Sequence, residues 1–320
     1  MISVVVPLYN KAAHIERALR SIQRQTYEPA EVIVVDDGST DEGGKIVRQF
    51  EMKGLRLIRQ DNQGASAARN RGLKDAHMDF VAFLDADDEW LPNHLFILAR
   101  LIQKFPAQAL YSTMHFINDG AALRAPASFY HDEKGFCLVE NFFDSFAVGF
   151  SLINSSTAVV SRKMALSIGG FPAGVRRGED IIFWIKLFMT AGMAHAPIRT
   201  AIYHRDALNR SSGLREQEPP GSLVYLAELI KGFGVSSVFA ESASRLFEKI
   251  AFFTAAGMKS SGDAGGVRAI RRLAKEAGSR RLRLGLAILD ITPAATLQLV
   301  RRFRHKSASS AENGVGQGSK

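Results

Sequence analysis

Two short apolar runs in this chain end abruptly in carboxylates: Val34-Val35-Asp36-Asp37-Gly38 and Phe83-Leu84-Asp85-Ala86-Asp87-Asp88. No other feature constrains the fold as much. A strand that is apolar on both faces is buried on both faces, as in a parallel sheet covered by helices, so its charged residues must emerge where it leaves the core. Around these runs the pattern alternates. Residues 2–6 and 31–36 read as strands, with Ile15, Leu19 and Ile22 at helical spacing between them; Leu55–Arg59 reads as a strand, Ala65–Ala76 as a helix, Asp79–Leu84 as a strand and Pro92–Phe105 as a helix. This predicts an α/β fold with a Rossmann-type, mostly parallel sheet flanked by helices. Ligands of such sheets lie beyond the carboxyl ends of the strands, where both acidic clusters fall.

The second half is less regular. A loop is expected over residues 118–135, then a strand over Thr157–Ser161 and a helix over Asp180–Ala191. Glu218-Pro219-Pro220-Gly221 reads as a boundary, followed by Leu, Phe, Ile and Ala at helical intervals to about Val300, and the residues after Ser307 are Ser, Gly, Asn and Gln. Three regions are expected: a body over 1–215, a helical extension over 216–306 and a disordered tail over 307–320.

Charge separates these regions. The net charge is +9, and all of it lies between Arg268 and Lys306, where eleven Lys and Arg face only Glu276 and Asp290. The neutral body has no interleaved aromatic and basic residues, which argues against nucleic acid, and the basic segment implies an anionic membrane surface as its partner. No run approaches the roughly 20 apolar residues that span a bilayer. Met1–Pro7 reads as a first strand rather than a signal peptide, and Cys137 has no cysteine to pair with, so a cytoplasmic protein with a lone buried thiol is expected.

The acidic clusters carry the chemistry. Gly38, Ser39 and Asp41 suit a turn and a helix cap, but the adjacent Asp36 and Asp37 exceed what a turn needs; a carboxylate there can accept the imide hydrogen of a uracil or thymine ring. Asp85, Asp87 and Asp88 deliver several hard oxygen ligands to one point. Mg²⁺ or Mn²⁺ held by one or two carboxylates, with diphosphate oxygens and water completing the octahedron, fits such a D-x-D element. The bland alternative is an acidic cap on the helix near Pro92, for which one acid would be enough.

Taken in order, Pro7-Leu8-Tyr9-Asn10, Val35-Asp36-Asp37-Gly38-Ser39-Thr40-Asp41, Ala68-Arg69-Asn70-Arg71-Gly72, Asp85-Ala86-Asp87-Asp88, Gly169-Gly170-Phe171 and Gly178-Glu179-Asp180 resemble family 2 glycosyltransferases over about residues 1–210. The resemblance implies a GT-A fold and an inverting transfer of one sugar from a nucleotide diphosphate sugar, a UDP-sugar foremost, to a glycan or lipid-linked acceptor hydroxyl in cell-surface glycan assembly. It implies that Pro7 and Tyr9 border the nucleotide pocket, that Asp36 or Asp37 and Arg69 contact the base, and that Asp85 and Asp87 serve ribose, diphosphate and metal, with Asp87 the direct ligand. Asp180 would be the base that removes the acceptor proton. Gly169, Gly170, Phe171 and Glu179 would shape the sugar and acceptor pocket. His204 falls where the family often places a His or Arg near the metal. The Gln-x-x-Arg-Trp element of processive synthases is missing, so a single addition is expected. A nucleotidyltransferase, which usually carries a Gly-rich basic loop after its first strand, and a non-catalytic nucleotide-sugar-binding protein are the competing readings. Attachment through 268–306 would place the enzyme on the inner face of the cell membrane.

Overall fold

The computed structural model describes residues 1–131, 135–148, 152–175, 177–206, 218–233 and 238–293. The expected tail over 307–320, and the expected basic segment beyond Pro293, lie outside them. The chain divides into two compact units, Met1–Leu214 and Arg215–Lys320.

The first unit opens with β1 (Ile2–Leu8), α1 (Ile15–Gln23), β2 (Glu31–Asp37), α2 (Gly43–Gln49), β3 (Leu55–Gln60), α3 (Ala65–Asp75) and β4 (Phe80–Phe83). These four strands are mutually parallel, in the order β3-β2-β1-β4. Both central strands are almost wholly buried, which explains their unbroken apolar character. Helix α3 crosses β1 with no room to spare: a Cβ on Gly72 would lie 2.3 Å from Cγ1 of Val5. That close approach is why a glycine stands in mid-helix despite its cost there.

Next come β5 (Glu89–Trp90), α4 (His94–Lys104), β6 (Leu110–Asn118), β7 (Leu123–Arg124), β8 (Cys137–Leu138), α5 (Phe142–Ala147), a 3₁₀ turn at Ser155–Thr157, β9 (Ala158–Ser161), α6 (Arg162–Ser167), α7 (Glu179–Ala191) and β10 (Met193–His204). The sheet continues β4-β9-β6-β10-β5, with β9 antiparallel to both neighbours and β10 parallel to β6. The mostly parallel sheet is therefore present, with reversed strands in its second half. Strand β6 breaks the apolar pattern with Ser112, Thr113 and His115, yet the first two are fully buried. Their partners explain it: Ser112 bonds the His195 ring at 2.7 Å, and Thr200 donates to Thr113 at 2.7 Å while also meeting His94. Burial there is satisfied by side-chain hydrogen bonds, so apolar periodicity does not reveal the strand. Cys137, expected to be buried, is only half-buried on β8.

The second unit is helical, as expected, with α8 (Gly221–Phe233), α9 (Ala240–Ser260), α10 (Ala264–Glu276) and α11 (Arg280–Ile291). The long α9 packs against the other three. Asp263 caps α10 through Gly266 N–H and Ser279 caps α11 through Leu282 N–H, each satisfying an otherwise orphaned donor. Helix α11 buries Leu282, Leu286 and Leu289, yet it also exposes Leu284, Ile288 and Ile291 at 69%, 64% and 82%. Among the described residues no helix is long and apolar enough to cross a membrane.

Candidate functional site

The parallel strands leave the core at one edge of the sheet, and the candidate residues collect there. Pro7 is the penultimate residue of β1, and Tyr9, 45% exposed, follows it. Asn10 has φ +50°, the only left-handed residue other than glycine among the described residues. That strain is held by bonds between the loops after β1 and β2: Asn10 Oδ1 accepts from Thr40 N–H at 2.8 Å, and Asn10 N–H donates to Ser39 Oγ at 3.0 Å.

At the end of β2 both carboxylates are buried and serve main-chain donors. Asp36 accepts from Ser39 N–H at 2.9 Å. Asp37 accepts from the Gln60 amide at 2.8 Å, from Gln63 N–H at 3.0 Å and from Gly64 N–H at 2.7 Å. Gly64 is the N-cap of α3, so Asp37 fastens the helix that carries Arg69. Three of the roughly four acceptor positions of its carboxylate are thus used.

Arg69 is the hub of the site. It is 6% exposed, donates to Asp85 Oδ1 at 2.6 Å, lies 3.7 Å from Glu179 and stands 5.4 Å from the Phe171 ring centroid. Its Nε and Nη1 have no hydrogen-bond partner among the described residues. Two buried, unsatisfied donors are costly, and they mark a place where a ligand atom would be stabilised. Arg69 therefore joins the end of β4 to the start of α7.

Phe171 is 1% exposed, packed 5.3 Å from Phe83 and 4.0 Å from Phe183 by ring centroids. Its ring packs against the Arg69 guanidinium, so any part Phe171 has in shaping a sugar and acceptor pocket is played from within the core. Asn70 fixes this segment by accepting from Phe171 N–H and donating to Phe171 C=O, both at 2.8 Å. Gly170 has φ +72°, and a Cβ there would meet Asn70 Oδ1 at 2.3 Å; exposed Gly169 has φ +86°. The role of Asn70 was missed, since nothing in the sequence ties it to a backbone a hundred residues away.

Glu179 and Asp180 open α7 behind the left-handed Gly178. Burial and then Asp180 push Glu179 up to about 7, with Arg69 opposing. Burial likewise raises Asp180, against the pull of Arg69 and of Ile181 N–H, which donates to Asp180 Oδ1 at 2.8 Å. Two adjacent half-buried carboxyls, both raised above their ordinary values beside one arginine, form an arrangement suited to proton transfer.

At the end of β4 each aspartate is already engaged. Asp85 pairs with Arg69, and Asp87 Oδ2 pairs with Lys11 Nζ at 2.7 Å, while Arg17 donates to the Asp87 carbonyl at 2.5 Å. Asp88 is buried, bonded to Ser156 Oγ and accepting from His204 N–H at 3.1 Å. Its carboxyl is pushed well up by burial and then by Asp85 and Asp87. His204 closes β10, with Nε2 3.3 Å from Glu89 and Nδ1 3.3 Å from the Asn118 amide. It is brought to the acidic loop through Asp88 and Glu89 rather than through Asp87. Among the described residues no three His, Cys, Asp or Glu side chains form a ready-made metal cage. The oxygens of Asp85 and Asp87 have the hardness a divalent cation requires, but they fit one only together with ligand phosphates and after an exchange of partners. Lys11 and Arg17 escaped the sequence reading because their partners are 70 and more residues away.

The chain matches the model of Glycosyl transferase family 2 over residues 3–166. It is 33% identical over 149 residues to the glycosyltransferase GlyA of Streptococcus pneumoniae, covering 46% of this chain and 21% of that protein. To GlyG of the same organism it is 32% identical over 143 residues, covering 44% and 46%. The chain thus spans between about a fifth and about a half of the length of these relatives. The crystal structure of S. aureus TarS 1-349 in complex with UDP-GlcNAc superposes with a TM-score of 0.73 at 18% identity, covering 96% of this chain and 92% of that one. At that identity the likeness is one of fold.

Proposed function

Because the chain belongs to glycosyl transferase family 2, we propose that it is an inverting glycosyltransferase, moving a single sugar from a nucleotide diphosphate sugar, a UDP-sugar foremost, to an acceptor hydroxyl in cell-surface glycan assembly. The observation that carries this reading is the convergence at Arg69 of Asp85 from the end of β4 with Glu179 and Asp180 from the start of α7. An anionic leaving group and a proton acceptor are needed within one reaction volume, and this edge of the sheet supplies groups for both.

In this reading Asp180 takes the proton of the acceptor hydroxyl as its oxygen attacks the anomeric carbon and the bond to the diphosphate breaks on the opposite face. One displacement inverts the anomeric centre. Arg69 offers its unsatisfied Nε and Nη1 to the ligand, and Asp37 offers its remaining acceptor position to a uracil imide. Mn²⁺ or Mg²⁺, held by Asp87 with Asp85, would stabilise charge developing on the departing diphosphate. The test is consumption of a panel of nucleotide sugars with Mn²⁺ and acceptor extracts, followed by NMR of the product's anomeric configuration. Retention would overturn the single displacement. Asp180→Asn is expected to keep donor binding and lose about a thousandfold in transfer; near-normal turnover would reassign the base.

The acceptor would reach this site at an anionic membrane surface. Supporting this, Arg280, Arg281 and Arg283 on α11 accompany the exposed stripe of Leu284, Ile288 and Ile291, and Lys and Arg near anionic lipid gain roughly 1 kcal/mol each. Flotation with anionic liposomes at low salt is expected to carry the full chain and not a chain ending near Gly265; equal flotation of both would remove this role.

A further inference from the structure

We propose that Lys11 is an internal cation occupying the metal position on Asp87, so that a divalent cation enters only together with the donor's diphosphate. This rests on the metal reading of Asp87 above.

Three observations support it. Lys11 Nζ sits 2.7 Å from Asp87 Oδ2, and the two side chains are only 11% and 14% exposed, so the pair is less screened by water than a fully exposed one. Its geometry is set from the backbone on both sides. Lys11 follows the strained Asn10, whose loop is bonded to Ser39 and Thr40, and Ala12 N–H donates to Asp41 Oδ2 at 2.7 Å. Arg17 holds the Asp87 carbonyl, leaving the carboxylate to exchange partners. Lastly, the charges of the two ion pairs cancel: Asp85 with Arg69, and Asp87 with Lys11.

A divalent cation arriving alone adds two positive charges beside Lys11, Arg69 and Arg17. A diphosphate arriving alone adds negative charge beside Asp85 and Asp87. Arriving together, they nearly cancel. The ammonium displaced from Asp87 then has phosphate oxygens as its new partner, and a flexible four-carbon stem allows the short move. Metal and nucleotide are therefore coupled in binding, and by linkage each tightens the other by the same factor.

The test is Mn²⁺ binding to the full chain by electron paramagnetic resonance and calorimetry, with and without uridine diphosphate. In the unmodified protein Mn²⁺ alone should bind weakly, and the nucleotide should tighten it by about a hundredfold or more. Lys11→Met, or Lys11→Gln should the first not fold by circular dichroism, should bind Mn²⁺ alone about ten- to a hundredfold more tightly. The added effect of the nucleotide should shrink correspondingly, and Lys11→Arg should retain the unmodified behaviour. Equal Mn²⁺ affinity with and without nucleotide in the unmodified protein overturns the proposal. So does equal affinity of the unmodified protein and Lys11→Met without nucleotide. If Asp87→Asn still weakens Mn²⁺ binding in those cases, the metal assignment stands and only Lys11 is misread. If Asp87→Asn changes nothing in any background, the metal reading of Asp87 falls and this inference falls with it.

Discussion

The ends of β2 and β4 carry the same sequence device, an apolar strand running out into aspartates, yet they use it in opposite ways. Asp36 and Asp37 bond mainly to Ser39, Gln60, Gln63 and Gly64, mostly through main-chain N–H groups, with Arg59 3.9 Å from Asp36 and one acceptor position of Asp37 left over. Asp85 and Asp87 are instead paired with the side chains of Arg69 and Lys11, charges on long stems that can change partners. Carboxylates bonded to backbone build the loop; a carboxylate bonded to a side-chain cation can give up that partner for a ligand. Adjacent acids at a strand end therefore do not by themselves announce chemistry, and the partner decides.

Substitutions can break this distinction. Asp87→Asn should lower metal-dependent affinity for uridine diphosphate by about a hundredfold, near 3 kcal/mol. Because the amide oxygen still accepts from Lys11 and the ammonium can reach water, its unfolding free energy should change by less than about 1 kcal/mol. Asp37→Ala should do the reverse to the fold, costing about 2 kcal/mol in denaturant unfolding, since it strands the N–H groups of Gln63 and Gly64. Should Asp87→Asn unfold as readily as Asp37→Ala, the division between exchangeable and structural carboxylates is wrong.

The start of β2 gives a smaller and purely structural contrast. Burial alone would raise Glu31, but His77 N–H, the Ser3 hydroxyl, the His77 ring and Arg56 outweigh it and hold its carboxyl at about 2, below the ordinary 4.5. Its stabilisation is complete above about pH 4.5 and is lost as pH falls toward 2. Linkage puts that at about 2 kcal/mol after screening at exposed His77 and Arg56. Glu31→Gln should flatten this part of the acid-unfolding curve while leaving nucleotide affinity unchanged; an unaltered curve would show that other carboxylates carry the acid sensitivity.

How much of this was legible depends on distance along the chain. The alternation from β1 to β4 could be read because each element there is apolar in its own period, and the acidic clusters could be placed at one edge because parallel strands all leave the core in the same direction. Strand β6 could not be read, since Ser112 and Thr113 are buried by bonds to His195 and Thr200. The Glu179-Asp180 pair and Arg69 each stand out in the sequence, but that Glu179 and Arg69 meet could not be read from it.

By itself, then, the sequence determined the parallel half of the sheet, the helical second unit and the set of residue types at the site, because hydrophobic period and strand-end polarity are local properties of the chain. Only the tertiary structure decided which charge meets which: Lys11 with Asp87, Arg69 with Asp85 and Glu179, Asn70 with Phe171. An ion pair or hydrogen bond between residues 16 to 110 positions apart leaves no periodic trace in sequence, since its geometry arises from the packing of elements that meet only once the sheet is formed.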